Sequence, residues 1–160
     1  MWGFRVGFVT YAVKGGNSEL YAALEGKTAG AIRGNISNVS HLSQSLLLKA
    51  FASGEYKSQK AEKFTLLKSR CDKVMETLKS HPEYEEYFHA LSFNSGYFMC
   101  VKLKGGLSAE VVRRILLDDF SSGVISFNDI LRVAFSSVDV TLIPELFENM
   151  FHACKKAKSI

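Results

Sequence analysis

Between Tyr56 and Ser80 the apolar side chains Phe64, Leu67, Cys71, Val74, Met75 and Leu78 recur at steps of three and four. Lys57, Lys60, Lys63 and Lys73 fall largely on the opposite side. That spacing fits one face of an α-helix and conflicts with the two-residue alternation of a strand. His81-Pro82 stops the helix, because proline lacks an amide donor and restricts the residue before it. The lysines read as a solvated helix face, with a contact surface for an acidic partner as the other meaning of the same pattern.

After Pro82 the pattern changes. Residues 97–103 (YFMCVKL) predict a strand, and Gly105-Gly106 a turn. Ser108 caps a helix to about Leu117, and residues 124–126 and 131–136 predict two short strands. Thr141 opens a last helix that tolerates Pro144 in its first turn. Its apolar side is Ile143, Leu146, Phe147, Met150, Phe151 and Cys154. Strand–helix–strand–strand–helix over residues 97–158 predicts a compact α/β layer on a mostly antiparallel sheet of three to four strands.

The start of the chain is different. Trp2, Phe4, Val6 and Phe8 alternate with Gly3, Arg5, Gly7 and Val9, which predicts a strand that needs neighbours. Such a beginning carries the expectation that the chain was cut from something longer. Gly15-Gly16-Asn17 reads as a turn, with Asn17 or Ser18 capping a helix to about Ala31. Residues 32–38 are expected to be irregular. A second helix follows over about 39–53 and closes at Gly54.

Composition excludes more than it specifies. The chain has 160 residues, 47% hydrophobic and 22% charged, which is globular rather than disordered. Twenty Lys and Arg against sixteen Asp and Glu give a net charge of +4, too small and dispersed to argue for nucleic acid. No apolar run has the length of a membrane span, and no signal-peptide series opens the chain. Cys71, Cys100 and Cys154 lack CxxC spacing, so buried reduced thiols in a cytoplasmic protein are expected, with neither disulfide framework nor zinc. His41, His81, His89 and His152 show no metal-ligand spacing.

Three arginines resist a bland interpretation. Arg5 shares a predicted strand face with Gly3 and Gly7, which leave open space beside the guanidinium. A phosphate suits that forked donor, and so does pairing with a neighbouring carboxylate. Arg132 shares a face with Ala134 and Ser136, opposite Leu131, Val133 and Phe135. It can clamp a carboxylate from a central strand or stand in water on an edge strand. Arg33 lies in the irregular stretch, where exposure to solvent is the default.

Together these residues resemble class I/II aminotransferases, the pyridoxal-phosphate (PLP) enzymes of fold type I similar to aspartate aminotransferase. Residues 2–8 (WGFRVGF) look like that family's Gly-x-Arg-x-Gly strand. Arg33-Gly34-Asn35-Ile36-Ser37-Asn38 resembles its Arg-x-x-x-Ser-Asn segment, with Val39 and Ser40 where prolines usually follow. Ser95-Gly96-Tyr97-Phe98 looks like the Gly-aromatic start of the first small-domain strand. Residues 131–136 (LRVAFS) resemble the arginine strand near the family's C-terminus.

The resemblance implies roles. Arg5 would bind the PLP phosphate, and Arg132 would hold the substrate α-carboxylate in a bidentate pair. Arg33 would reach a partner subunit's site and meet a side-chain carboxylate, weakly favouring an acidic substrate. Ser37 and Asn38 would lie by that dimer-facing loop, and Tyr97 near the substrate entrance. The family's Schiff-base lysine precedes the Gly-x-Arg-x-Gly strand, and neither Lys14 nor Lys27 matches it. The chain alone is therefore expected to be inactive.

The expectation is thus the C-terminal domain of a fold type I PLP-dependent transferase. Residues 1–45 would end the large PLP-binding domain; residues 46–160 would form a connecting helix and the small α+β domain. The intact homodimer would exchange an amino group between an amino acid and a 2-oxo acid. C–S lyases, decarboxylases and cyclopropane-forming synthases use the same arginines. A stand-alone interaction module, contacting partners through the basic helix around Lys57–Lys73, is the reading from another class. The part from Tyr56 onward is expected to fold alone.

Overall fold

The structure, a computed structural model, describes residues 3–94 and 96–159. It divides into two compact units, Met1–Gln59 and Lys60–Ile160.

In the first unit, irregular backbone leads into helix α1 (Ser18–Asn35), followed by α2 (His41–Ala52). Asn17 caps α1 by accepting a hydrogen bond from the Leu20 amide at 2.9 Å, and Ser40 caps α2. The strand expected at residues 2–9 is not formed over residues 3–9, and Trp2 lies outside the described residues. Gly3 (φ 91°) and Arg5 (φ 53°) adopt left-handed backbone, which breaks the extended run that strand pairing needs. Residues 32–38 are also not uniformly irregular, because α1 runs on through Arg33, Gly34 and Asn35. It ends only where Ser37 turns left-handed (φ 68°) and its amide, with that of Ile36, donates to the Ile32 carbonyl. No side chain of α1 or α2 is buried within this unit.

The long helix α3 (Tyr56–Ser80) has the expected bounds and spans the division between the units. Its covered stripe is shifted from the expected one. Cys71, Val74 and Thr77 are buried, whereas Phe64 and Met75 are 61% and 55% exposed. Leu67, Arg70, Cys71, Val74, Thr77 and Leu78 form the stripe that keeps the three-and-four spacing along the covered side.

The second unit is built on four antiparallel strands in the spatial order β1-β2-β4-β3: β1 (Phe88–Ala90), β2 (Met99–Leu103), β3 (Ile125–Phe127) and β4 (Ile130–Val133). Strand β1, preceded by a 3-10 turn at Pro82–Glu86, has no counterpart in the sequence expectation. Helix α4 (Ala109–Phe120) is capped by Ser108, and α5 (Ile143–Lys158) carries Pro144 in its first turn as expected. The alternation of β2 and β4 turns Met99, Val101, Leu103, Leu131 and Val133 inward. They meet Val112 and Leu116 of α4 and Phe147, Met150 and Cys154 of α5 in one hydrophobic core. Cys100 and Arg132 necessarily take the opposite face. Strand β4 is shorter than the expected 131–136, because Phe135 is buried in a 3-10 turn (Phe135–Ser137) that ends the extended run.

Candidate functional site

Arg132 owes its position to the register of the sheet. Strand β4 lies between β2 and β3, with Arg132 opposite Cys100 on one side and Ile125 on the other. The edge-strand alternative is therefore excluded. The side chain is half-buried, and its guanidinium carbon stands 4.7 Å from the centroid of the Phe98 ring. That cation–π contact uses one face of the guanidinium and leaves its N–H edge available to an anion. Among the described residues, no carboxylate forms a salt bridge with Arg132.

Tyr97 and Phe98 immediately precede β2. Tyr97 is 62% exposed, and its ring stands 6.5 Å from that of Phe98 in an edge-on arrangement. Its carbonyl accepts a hydrogen bond from the Ser136 amide at 3.4 Å. The structure thus gathers Tyr97, Phe98 and Arg132 at one end of the sheet. Ser95, the first residue of the Gly-aromatic motif, lies outside the described residues.

Arg70 is a component that the sequence reading passed over. It lies on the covered stripe of α3 and donates from Nη1 to the carbonyl of Ser136. Its Nε is buried without a partner among the described residues. The signal was present: a charge at an apolar-stripe position, three after Leu67 and four before Val74, needs a buried acceptor. The contact ties α3 to the turn that follows Arg132.

Arg5, Arg33 and Asn38 belong to the first unit. Arg5 is exposed and lines a recess of about 520 Å³ with Phe4, Val6, Phe8, Ile32 and Phe51. A Cβ at Gly3 or Gly7 would meet nothing within 4 Å among the described residues, but without a strand the two glycines no longer share a face with Arg5. A guanidinium with no ion pair among the described residues fits a phosphate group chemically. Arg33, in the last turn of α1, donates from Nη1 to Ser37 Oγ at 2.6 Å. Asn38 is exposed, and its amide donates to the Ile36 carbonyl at 2.8 Å.

The strongest charge cluster of the second unit is structural. Glu110 is held well below the ordinary carboxyl range by hydrogen bonds from Arg113, Ser126 and Arg114, in that order of effect. It fastens α4 to β3. Among the described residues no group of three or more His, Cys, Asp or Glu side chains could hold a metal ion. No helix there is long and apolar enough to cross a membrane.

No protein-family model and no curated protein matches the sequence. Solved structures do match. An aminotransferase from Anaerococcus prevotii superposes with a TM-score of 0.68 at 20% identity, covering 85% of this chain and 32% of its own. LysN, the alpha-aminoadipate aminotransferase of Thermus thermophilus solved with N-(5'-phosphopyridoxyl)-L-leucine, gives 0.69 at 18%, covering 86% of this chain and 36% of its own. The chain thus spans about a third of the length of these enzymes. At such identities the likeness is one of fold: the antiparallel sheet and its helices form part of an aminotransferase fold, as the sequence motifs implied.

Proposed function

We propose that this chain is the C-terminal part of a PLP-dependent aminotransferase, working as a homodimer that exchanges an amino group between an amino acid and a 2-oxo acid. The observation that carries the reading is Arg132: a half-buried cation on a central strand, free of carboxylate partners among the described residues and backed by Phe98. Burying part of a guanidinium without a counterion costs stability, which is sensible where an anionic ligand completes the pairing.

Arg132 holds the α-carboxylate through two parallel N–H···O bonds, and Phe98 fixes the guanidinium plane. Tyr97 closes the side toward solvent. Arg5 donates to the phosphate of PLP. When bound, PLP supplies the electron sink for bond cleavage at the substrate Cα. Neither Lys14 nor Lys27 matches the family's Schiff-base lysine position.

The substrate class is not fixed by fold. The Thermus neighbour is named for an acidic amino acid, yet its bound ligand carries a leucyl side chain. In this chain Arg33 is the residue that would favour a second carboxylate, and its guanidinium already serves Ser37.

Steady-state transamination tests the reading, measured on the protein extended upstream through its reading frame. Arg132→Lys is expected to lower kcat/KM about 100-fold or more, because an ammonium cannot reproduce the planar fork. An unchanged kcat/KM would contradict it.

A further inference from the structure

Resting on the role proposed for Arg132, we infer that the substrate carries an uncharged, largely apolar side chain, seated in the recess between β2 and the loop that precedes it. This recess measures about 510 Å³ and is lined by Leu91, Ser92, Phe93, Asn94, Phe98, Met99 and Cys100.

Two of these residues connect it to Arg132. Phe98 lies under the guanidinium, and Cys100 is the direct cross-strand partner of Arg132 on β2. A carboxylate paired with the N–H edge of Arg132 therefore places the rest of a small ligand beside the Phe98 ring, at the mouth of the recess. Phe98 is 50% exposed, so apolar surface is available there to be covered by the ligand.

The lining decides the class of side chain. Among the described residues it contains no Lys, Arg or His, and no Asp or Glu. A second carboxylate entering it would lose hydration with no cation in return, and an ammonium would meet no carboxylate. A phenyl or branched alkyl group loses nothing polar and covers Phe93 and Phe98. Among the described residues of the lining, Ser92 and Asn94 carry the side-chain hydroxyl and amide groups, sufficient for a single uncharged polar atom at the rim. Lys102, two residues past Cys100 on β2, does not line the recess and is paired with Asp129 at 3.3 Å.

The test titrates the full chain with 3-phenylpropionate and, separately, with glutarate, following backbone amide shifts by NMR. 3-Phenylpropionate is expected to bind about tenfold more tightly, as burial of one ring face predicts. Its shifts should centre on Phe93, Phe98 and Cys100. Arg132→Gln should weaken both ligands, whereas Phe98→Ala should weaken 3-phenylpropionate selectively. Equal or tighter glutarate binding that still depends on Arg132 would overturn the apolar inference and leave the carboxylate role standing. Binding of neither ligand, or binding insensitive to Arg132→Gln, would overturn both.

Discussion

Arg70 of α3 donates a hydrogen bond to the main-chain carbonyl of Ser136, four residues beyond Arg132. The Ser136 amide in turn donates to the Tyr97 carbonyl. One side chain thereby links the long helix to both segments that flank the proposed carboxylate clamp. Removing it orphans a carbonyl and opens a gap beside Cys71 and Val74.

Arg70→Ala is therefore expected to destabilise the chain by about 1–3 kcal/mol, with Arg70→Lys recovering part of the loss. Urea denaturation of the full chain measures this. A loss below about 0.3 kcal/mol would mean that the contact is not maintained in solution.

Alkaline pH probes the packing of α5. Tyr84 is buried, and its hydroxyl donates to Glu148 Oε2 at 2.8 Å. Burial, and then the hydrogen bond to that carboxylate, raise the phenol above its ordinary value of 10.0. Burial alone pushes the Cys154 thiol from 9.0 up to about 12. Both groups bind a proton more tightly in the folded chain, so their stabilisation is complete at neutral pH. It is lost as pH rises past the unfolded values, from 9.0 for the thiol and 10.0 for the phenol. Melting temperature should fall through that window. Tyr84→Phe should flatten the part beginning near pH 10 while costing about 1–2 kcal/mol at neutral pH. An identical alkaline profile in that variant would contradict the assignment.

Acid probes the fastening of α4 to β3. Hydrogen bonds from Arg113, Ser126 and Arg114 lower the Glu110 carboxyl. The stabilisation is present above the ordinary value of 4.5 and disappears as pH falls below it. Glu110→Gln should lower the melting temperature at pH 7 and converge with the unmutated chain in strong acid. A constant difference at every pH would show that the effect is not electrostatic.

The three thiols should react in order of access. Cys100 is half-buried on the outer face of the sheet, Cys71 is 5% exposed and Cys154 is fully covered. Iodoacetamide under native conditions, read by peptide mass spectrometry, is expected to label Cys100 first and Cys154 only after unfolding. Early labelling of Cys154 would mean that α5 opens locally.

The second unit was largely legible in the sequence because its elements carry their own periodicity. The apolar sets of α5 and the alternation of β2 and β4 are each local patterns that one core then satisfies. Strand β1 was not legible, since three residues after a proline turn give no pattern of their own and owe their pairing to β2. In α3, Phe64 and Met75 match the helical period but not the covered side, because the period alone leaves a stripe free to rotate. The opening segment failed for another reason. Alternation at Phe4, Val6 and Phe8 suggests a strand only if φ stays extended, and Gly3 and Arg5 do not. Of the candidate site, Arg132 and Tyr97 were visible as motif positions, whereas the Phe98 contact and the Arg70 anchor depend on tertiary packing.

The central claim is tested most directly by an absorbance scan with added PLP, comparing this chain with the protein extended upstream through its reading frame. The account predicts a protein-bound PLP band only in the extended protein, and selective bleaching of that band by amino acids. Absence of such a band from the extended protein, or a frame with no upstream lysine, would contradict the aminotransferase reading and leave Arg132 a structural group.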